Sequence, residues 1–170
     1  MAVPSTSATR PFTDAYLLTY SAEHVAYEFD MFLWVAAVCS NPSTRFGAPT
    51  APDAGCLNNV MIEAFAVHLR NVIDFLYLDS PKQTDVVAAD FFAPNAWDTL
   101  RPSITTTLEI ARVRANKEVA HLTTDRIAGS PPVKGWDFQR LAAEIRPLLR
   151  LVADNALATR LSPNVGAVLR

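Results

Sequence analysis

The sequence predicts an all-α fold, a four-helix up-and-down-type bundle with one short extra helix. Three observations carry this expectation. The 170 residues include only five glycines, while Ala and Leu, both strong helix formers, are abundant. Apolar residues recur three and four positions apart in four long stretches, the period of a helix with one buried side. No stretch alternates polar and apolar residues as a half-buried strand would.

Residues 1–11 read as a flexible lead-in of Ser, Thr and Pro. Thr13 or Asp14 can cap a first helix to about Cys39, with Leu18, Ala22, Val25, Phe29, Phe32 and Ala36 as its core stripe. The stretch from Asn41 to Gly55 holds three prolines and two glycines and is a loop. A second helix runs from about Leu57 to Leu78 and is apolar around most of its circumference, as a central helix would be. A turn at DSPKQT precedes the short extra helix, capped by Thr84 or Asp85. Ser103 caps a third long helix to about Thr123, with Ile104, Leu108, Ala111, Ala115, Val119 and Leu122 inward. After the loop AGSPPVKG, Asp137 caps a fourth helix to about Leu157, burying Phe138, Leu141, Ile145, Leu148 and Val152. Pro147 lies inside that pattern and predicts a kink or broken turn. Residues 161–170 read as a weakly determined tail, which leaves one domain over residues 12–160.

Half of the residues are hydrophobic and 19% are charged, which suits a folded core and argues against disorder. A formal charge of −2 argues against a basic nucleic-acid grip over the whole surface, though not against a local basic stripe. Cys39 and Cys56 make no disulfide framework and are expected to be buried free thiols. Trp34, Trp97 and Trp136 fall at helix ends, where packing is the default role. The N-terminus has no apolar core of a signal peptide, and the longest apolar run, Met31 to Cys39, is far short of the ~20 residues that span a bilayer. A soluble cytoplasmic protein with no membrane contact is expected.

Chemistry concentrates in ARVRANKEVAHLT. Arg114 and His121 are seven residues apart, about 20° short of two helical turns, with Lys117 between them on the same side. Arg offers a bidentate fork to phosphate, Lys a point charge, and His a proton-transfer group near neutrality. One helix spreads these groups over ~10.5 Å, so two such helices facing across a dimer would make a tighter site. Around them, His68, Arg70 and Asn71 on the second long helix are candidate supporting residues. Arg70 and Asp74 are also spaced for an ion pair within that helix.

An arginine with four to six residues intervening before a histidine, on a late helix of an all-α bundle, resembles the HEPN superfamily. The matching motif is R-x6-H from Arg114 to His121 within RANKEVAH, and the phrase EAFAVHLRNVIDFLYLD is also similar to small bacterial HEPN-like proteins. The bundle architecture covers roughly residues 14–157. The resemblance implies a homodimeric, metal-independent endoribonuclease of toxin or defence type, without a cofactor. In it His121 would transfer protons at the scissile phosphodiester, Arg114 would bind the phosphate, and Lys117 and Asn116 would contact RNA. Ala115 stands where the family often has a polar residue, and Asn116 is rotated ~140° from His121. Binding-only members supply the alternative: a non-catalytic module that dimerises, binds RNA, or binds an antitoxin-type protein partner.

A third reading joins His24, His68 and His121, one on each of three helices, as metal ligands of a bundle enzyme. His68 lies on an apolar stripe, where a hydrogen-bonded core histidine is the commoner outcome. Glu118 and His121 have the E-x-x-H spacing of di-iron bundles, but no second such pair exists. Phosphate-cradling glycine loops and serine nucleophile elbows are absent from the sequence.

Overall fold

The computed structural model describes residues 12–41, 54–118 and 135–170. The lead-in 1–11, most of the two long loops, and His121, Val119 and Leu122 lie outside them. Among the described residues the regular elements are all helical. They are α1 (Asp14–Tyr20), a π-helical turn (Ser21–Val25), α2 (Ala26–Ser40), α3 (Ala54–Tyr77), a 3-10 turn (Ala88–Phe91), α4 (Ala96–Leu100), α5 (Thr106–Glu118), α6 (Phe138–Asn155) and α7 (Pro163–Ala167).

Thr13 caps α1 by accepting from the Tyr16 amide at 3.2 Å. The first long stretch is not one uniform helix. The Ala26 amide bonds back five residues to the Ser21 carbonyl, which widens the turn and changes which side chains point inward. Leu17, Ser21, Val25 and Phe29, each four residues after the last, are all buried. An unbroken α-helix would rotate that series out of register by ~40° per step. Leu18, expected in the core, is exposed, and Leu17 takes its place.

α3 packs against α2 on one flank and α5 on the other, and α6 packs against α2 and touches α5. The largest fully buried side chains, Phe29, Phe32 and Phe65 among them, meet at this centre, and Phe32 stacks on Phe65 at 5.8 Å. Each such ring contributes about 1.5–3 kcal/mol relative to an exposed one. α3 ends under Trp97, whose indole N–H donates to the Leu76 carbonyl at 3.1 Å. The short extra helix proves to be the 3-10 turn, begun by the Asp90 carboxylate accepting from the Val87 amide rather than by Thr84 or Asp85.

Four further expectations are corrected. α5 is capped by Thr105, whose hydroxyl accepts from the Leu108 amide at 3.2 Å, and not by Ser103. α6 begins at its Asp137 cap as expected but continues through Pro147 without a broken turn. Pro147 is exposed, so the carbonyl that loses its amide partner faces water. Cys39 is half-buried and Cys56 exposed, both as free thiols, because the first turns of α3 extend beyond the core. Trp34 lies mid-helix and exposed instead of packing at a helix end.

Residues 161–170, read as a tail, pack into the core. Leu161, Val165 and Leu169 are buried in the common core. The buried hydroxyl of Ser21 accepts from the Ser162 amide at 2.9 Å and lies 3.0 and 3.2 Å from the Leu18 and Arg160 carbonyls it can donate to. Arg160 donates to Asp14 at 2.7 Å and to the carbonyls of Asp90 and Phe92. The wide turn thus receives the C-terminal segment. Ser21→Ala leaves the buried Ser162 amide without an acceptor and should cost about 1–3 kcal/mol, read as a lower urea midpoint with an unchanged m-value.

Candidate functional site

The site expected from the sequence rests on α5, so the rotation of α5 decides what it offers. Leu108, Ala111 and Ala115 face the core, a narrow stripe with two methyl groups among three side chains. Polar contacts fix the rotation on both flanks. Toward α3, Arg112 Nε donates to Asp74 Oδ1 at 2.6 Å, and Arg70 Nε lies 3.5 Å from Asp74 Oδ2. The Arg70–Asp74 pair anticipated within α3 is therefore present, and it serves a link between helices.

Toward α6, the Thr105 hydroxyl donates to Glu144 Oε2 at 2.6 Å while capping α5. Arg140 donates to Glu144 Oε1 at 3.1 Å and to the Thr107 hydroxyl at 2.8 Å. The Thr105 hydrogen bond, then the Arg140 guanidinium, hold the Glu144 carboxyl below the usual glutamate value despite partial burial.

Arg114 falls on the α6 flank. Its guanidinium lies over the Trp136 ring, 4.1 Å from the centroid, and donates to the Gly135 carbonyl at 3.0 Å. Trp136 in turn meets Phe65 edge-on at 5.8 Å, so the arginine rests on a ring that is part of the core boundary. Lys117 and Asn116 are exposed, and Ala115 is buried. Lys117 follows Arg114 by ~60° of rotation, whereas Asn116 is ~160° away. The described residues bring Arg114 and Lys117 to one side of α5 and leave Asn116 on another. His121 lies outside the described residues.

The supporting residues proposed on α3 have other partners. His68 is buried, with Nδ1 2.8 Å from Glu28 Oε2, and Asn71 donates to Glu28 Oε1 at 3.3 Å. Their hydrogen bonds run to α2, and Arg70 turns to Asp74. His68 is thus the hydrogen-bonded core histidine that its apolar stripe suggested. His24 is exposed and sits beside Tyr20 and Glu23. No group of three potential metal ligands occurs among the described residues, nor is any described helix long and apolar enough to cross a membrane.

Sequence reasoning missed Arg112, Trp136, Glu28 and Glu144, which orient the cations and the histidine. The i,i+4 spacing of Glu144 with Arg140 was visible, but their contact with Thr105 and Thr107 was not. The lowered pKa of Glu144 sets a direction for the pH dependence. Its folded value lies below its unfolded value, so the contribution is complete above the ordinary glutamate range and lost as pH falls through the folded value. Glu144→Gln should flatten this acid limb of stability, measured as urea midpoints from neutral to acid pH. An acid limb as steep in the variant as in the parent would show that the joint does not titrate.

Compared with known proteins, the chain matches no family model, no curated protein and no solved structure.

Proposed function

We propose that this protein is a HEPN-like four-helix-bundle module that binds RNA through the side built from α5 and α6. The observation that supports this most is the segregation of positive charge. From Phe12 to Leu69 the described residues include neither Lys nor Arg, whereas Arg114 and Lys117 share one side of α5 and Arg140 reaches Thr107 across from α6; Arg112 is paired with Asp74, Arg146 lines the groove toward α2, and Arg150 donates to the Leu169 carbonyl. A phosphate backbone is attracted by such a local cluster even when the whole chain is mildly acidic. Arg114 supports the same reading through its place over Trp136, its guanidinium carbon 4.1 Å from the ring centroid. Stacked rings and guanidinium planes both suit unpaired bases and phosphates of single-stranded RNA.

The binding-module reading stands ahead of the endoribonuclease one for a specific reason. Ala115 is buried against the core, so the polar position next to the arginine is lost to packing. In the catalytic reading His121 would transfer protons and Arg114 would hold the scissile phosphate, with the second set supplied by a homodimer. Toxin or defence roles and an antitoxin-type partner follow from the resemblance alone.

Fluorescence anisotropy with a labelled single-stranded RNA over a salt series tests the proposal. Arg114→Ala and Lys117→Ala should each weaken binding and lower the slope of log affinity against log salt by about 0.7 per lost phosphate contact. An undiminished affinity and slope in both variants would reject the surface. Incubation of RNA with parent and His121→Ala protein separates the two readings. The binding module leaves RNA intact in both, while cleavage by the parent that is lost in folded His121→Ala and Arg114→Ala proteins would assign the nuclease.

A further inference from the structure

α2 is enclosed around most of its circumference. It packs against α3, α6 and α7, and from Ala26 to Ala37 every residue except Tyr27, Asp30, Trp34 and Ala37 is buried or half-buried. These four follow one another at spacings of three, four and three, so they form one narrow strip along the solvent side of the helix. Glu23, exposed in the π-helical turn, precedes Tyr27 by four residues and extends the strip backward. Ala37 ends it, at the rim of the groove between α2 and α6 that Arg146 also lines.

Along this strip carboxylates and aromatic rings alternate. Tyr27 is 53% and Trp34 51% exposed, and the Tyr27 ring meets His68 edge-on at 5.8 Å, which holds it beside α3. The Asp30 carboxylate, between the two rings in sequence, has no partner among the described residues. Glu23 comes within 4.0 Å of the adjacent His24 imidazole, too far for a strong hydrogen bond. Neither α1, the π-helical turn nor α2 contains a Lys or Arg to neutralise these acids. A phosphate backbone, an anionic lipid surface or a second copy of the strip would each meet like charge here.

We infer that this strip is the docking site of a basic amphipathic helix in a partner protein. That helix carries Arg or Lys every seventh residue to meet Glu23 and Asp30, with apolar side chains between them to meet Tyr27 and Trp34. A carboxylate next to an aromatic ring favours a cation twice, through its charge and through the ring quadrupole. The aliphatic stem of an arginine or lysine can cover ring surface while its head reaches the acid. Spacing selects a helix as the occupant. The two acids are seven residues apart, as are the two rings, which is the heptad repeat that a second helix matches. An extended chain covers the same ~10.5 Å in about three residues and so turns successive side chains to opposite sides. The inference stands on the α2 strip alone and does not depend on RNA binding at α5 and α6.

Fluorescence anisotropy of a labelled three-heptad peptide, Ala-rich with Arg and Leu at alternating spacings of three and four, titrated with the full chain decides the matter. The parent should bind this peptide at micromolar concentration, and a peptide of the same composition in scrambled order much more weakly. Asp30→Asn and Trp34→Ala should each weaken binding about five-fold, the effect of one exposed ion pair or cation–ring contact. Both positions are exposed, so circular dichroism spectra should not change. Asp154→Asn, which removes an exposed carboxylate of α6, should leave the affinity at the parent value. No binding by the parent, equal binding of the scrambled peptide, an affinity that survives Asp30→Asn and Trp34→Ala combined, or an equal loss in Asp154→Asn would each overturn the inference. RNA affinity in Arg114→Ala is a separate result and bears only on the α5–α6 side.

Discussion

The ion pair between Asp74 and Arg112 is the constraint from which the rest of the site follows. α5 has little apolar surface with which to fix its own rotation, since Ala111 and Ala115 supply two of its three buried side chains. The 2.6 Å contact from Arg112 to Asp74 sets that rotation from the α3 flank. Arg114, two residues on and ~160° round, is thereby carried to the opposite flank, over Trp136. Lys117 follows it outward, and Ala115 is turned into the core. The same carboxylate faces Arg70, so a pair that would count for little on an isolated helix becomes part of a three-residue link between helices.

α3 performs the equivalent task toward α2 with different chemistry. His68 lies on an otherwise apolar stripe, and burial of an imidazole without a partner is costly. Glu28 supplies the partner and Asn71 satisfies its other oxygen. α2 and α5 are thus fixed on its two flanks, while α6, with Arg140, Arg146 and Arg150, packs directly against α2. The absence of Lys and Arg from Phe12 to Leu69 among the described residues, against Arg114 and Lys117 on α5, is the basis of the proposed RNA side.

Much of the helical content was legible because its determinants are local. Thr13 and Asp137 are oxygen-bearing side chains immediately before periodic apolar runs, and both cap the helices they precede. The mostly apolar circumference of α3 marked it as central. What escaped was non-local. The wide turn at Ser21–Val25 replaces Leu18 by Leu17 in the core, and only the docking of Ser162 and Arg160 against that turn explains why it is favoured. The last ten residues carry Leu161, Val165 and Leu169 at spacings of four, a core signal present in the sequence but broken by Pro163 and Gly166. At the site, Arg114 and Lys117 were visible as one side of a helix. That Arg114 rests on Trp136, and that His68, Arg70 and Asn71 serve other helices, depends on packing between segments far apart in the chain.

The central claim is that RNA meets the α5–α6 side and leaves the α2–α3 side untouched. Hydrogen exchange of the full chain, with and without a short single-stranded RNA, tests it most directly. The account expects RNA to slow exchange of amides in the second half of α5 and the first turns of α6, with those of α2 and of α3 from Leu57 to Val67 unchanged. Protection confined to α2 and α3, with α5 and α6 unaffected, would contradict it.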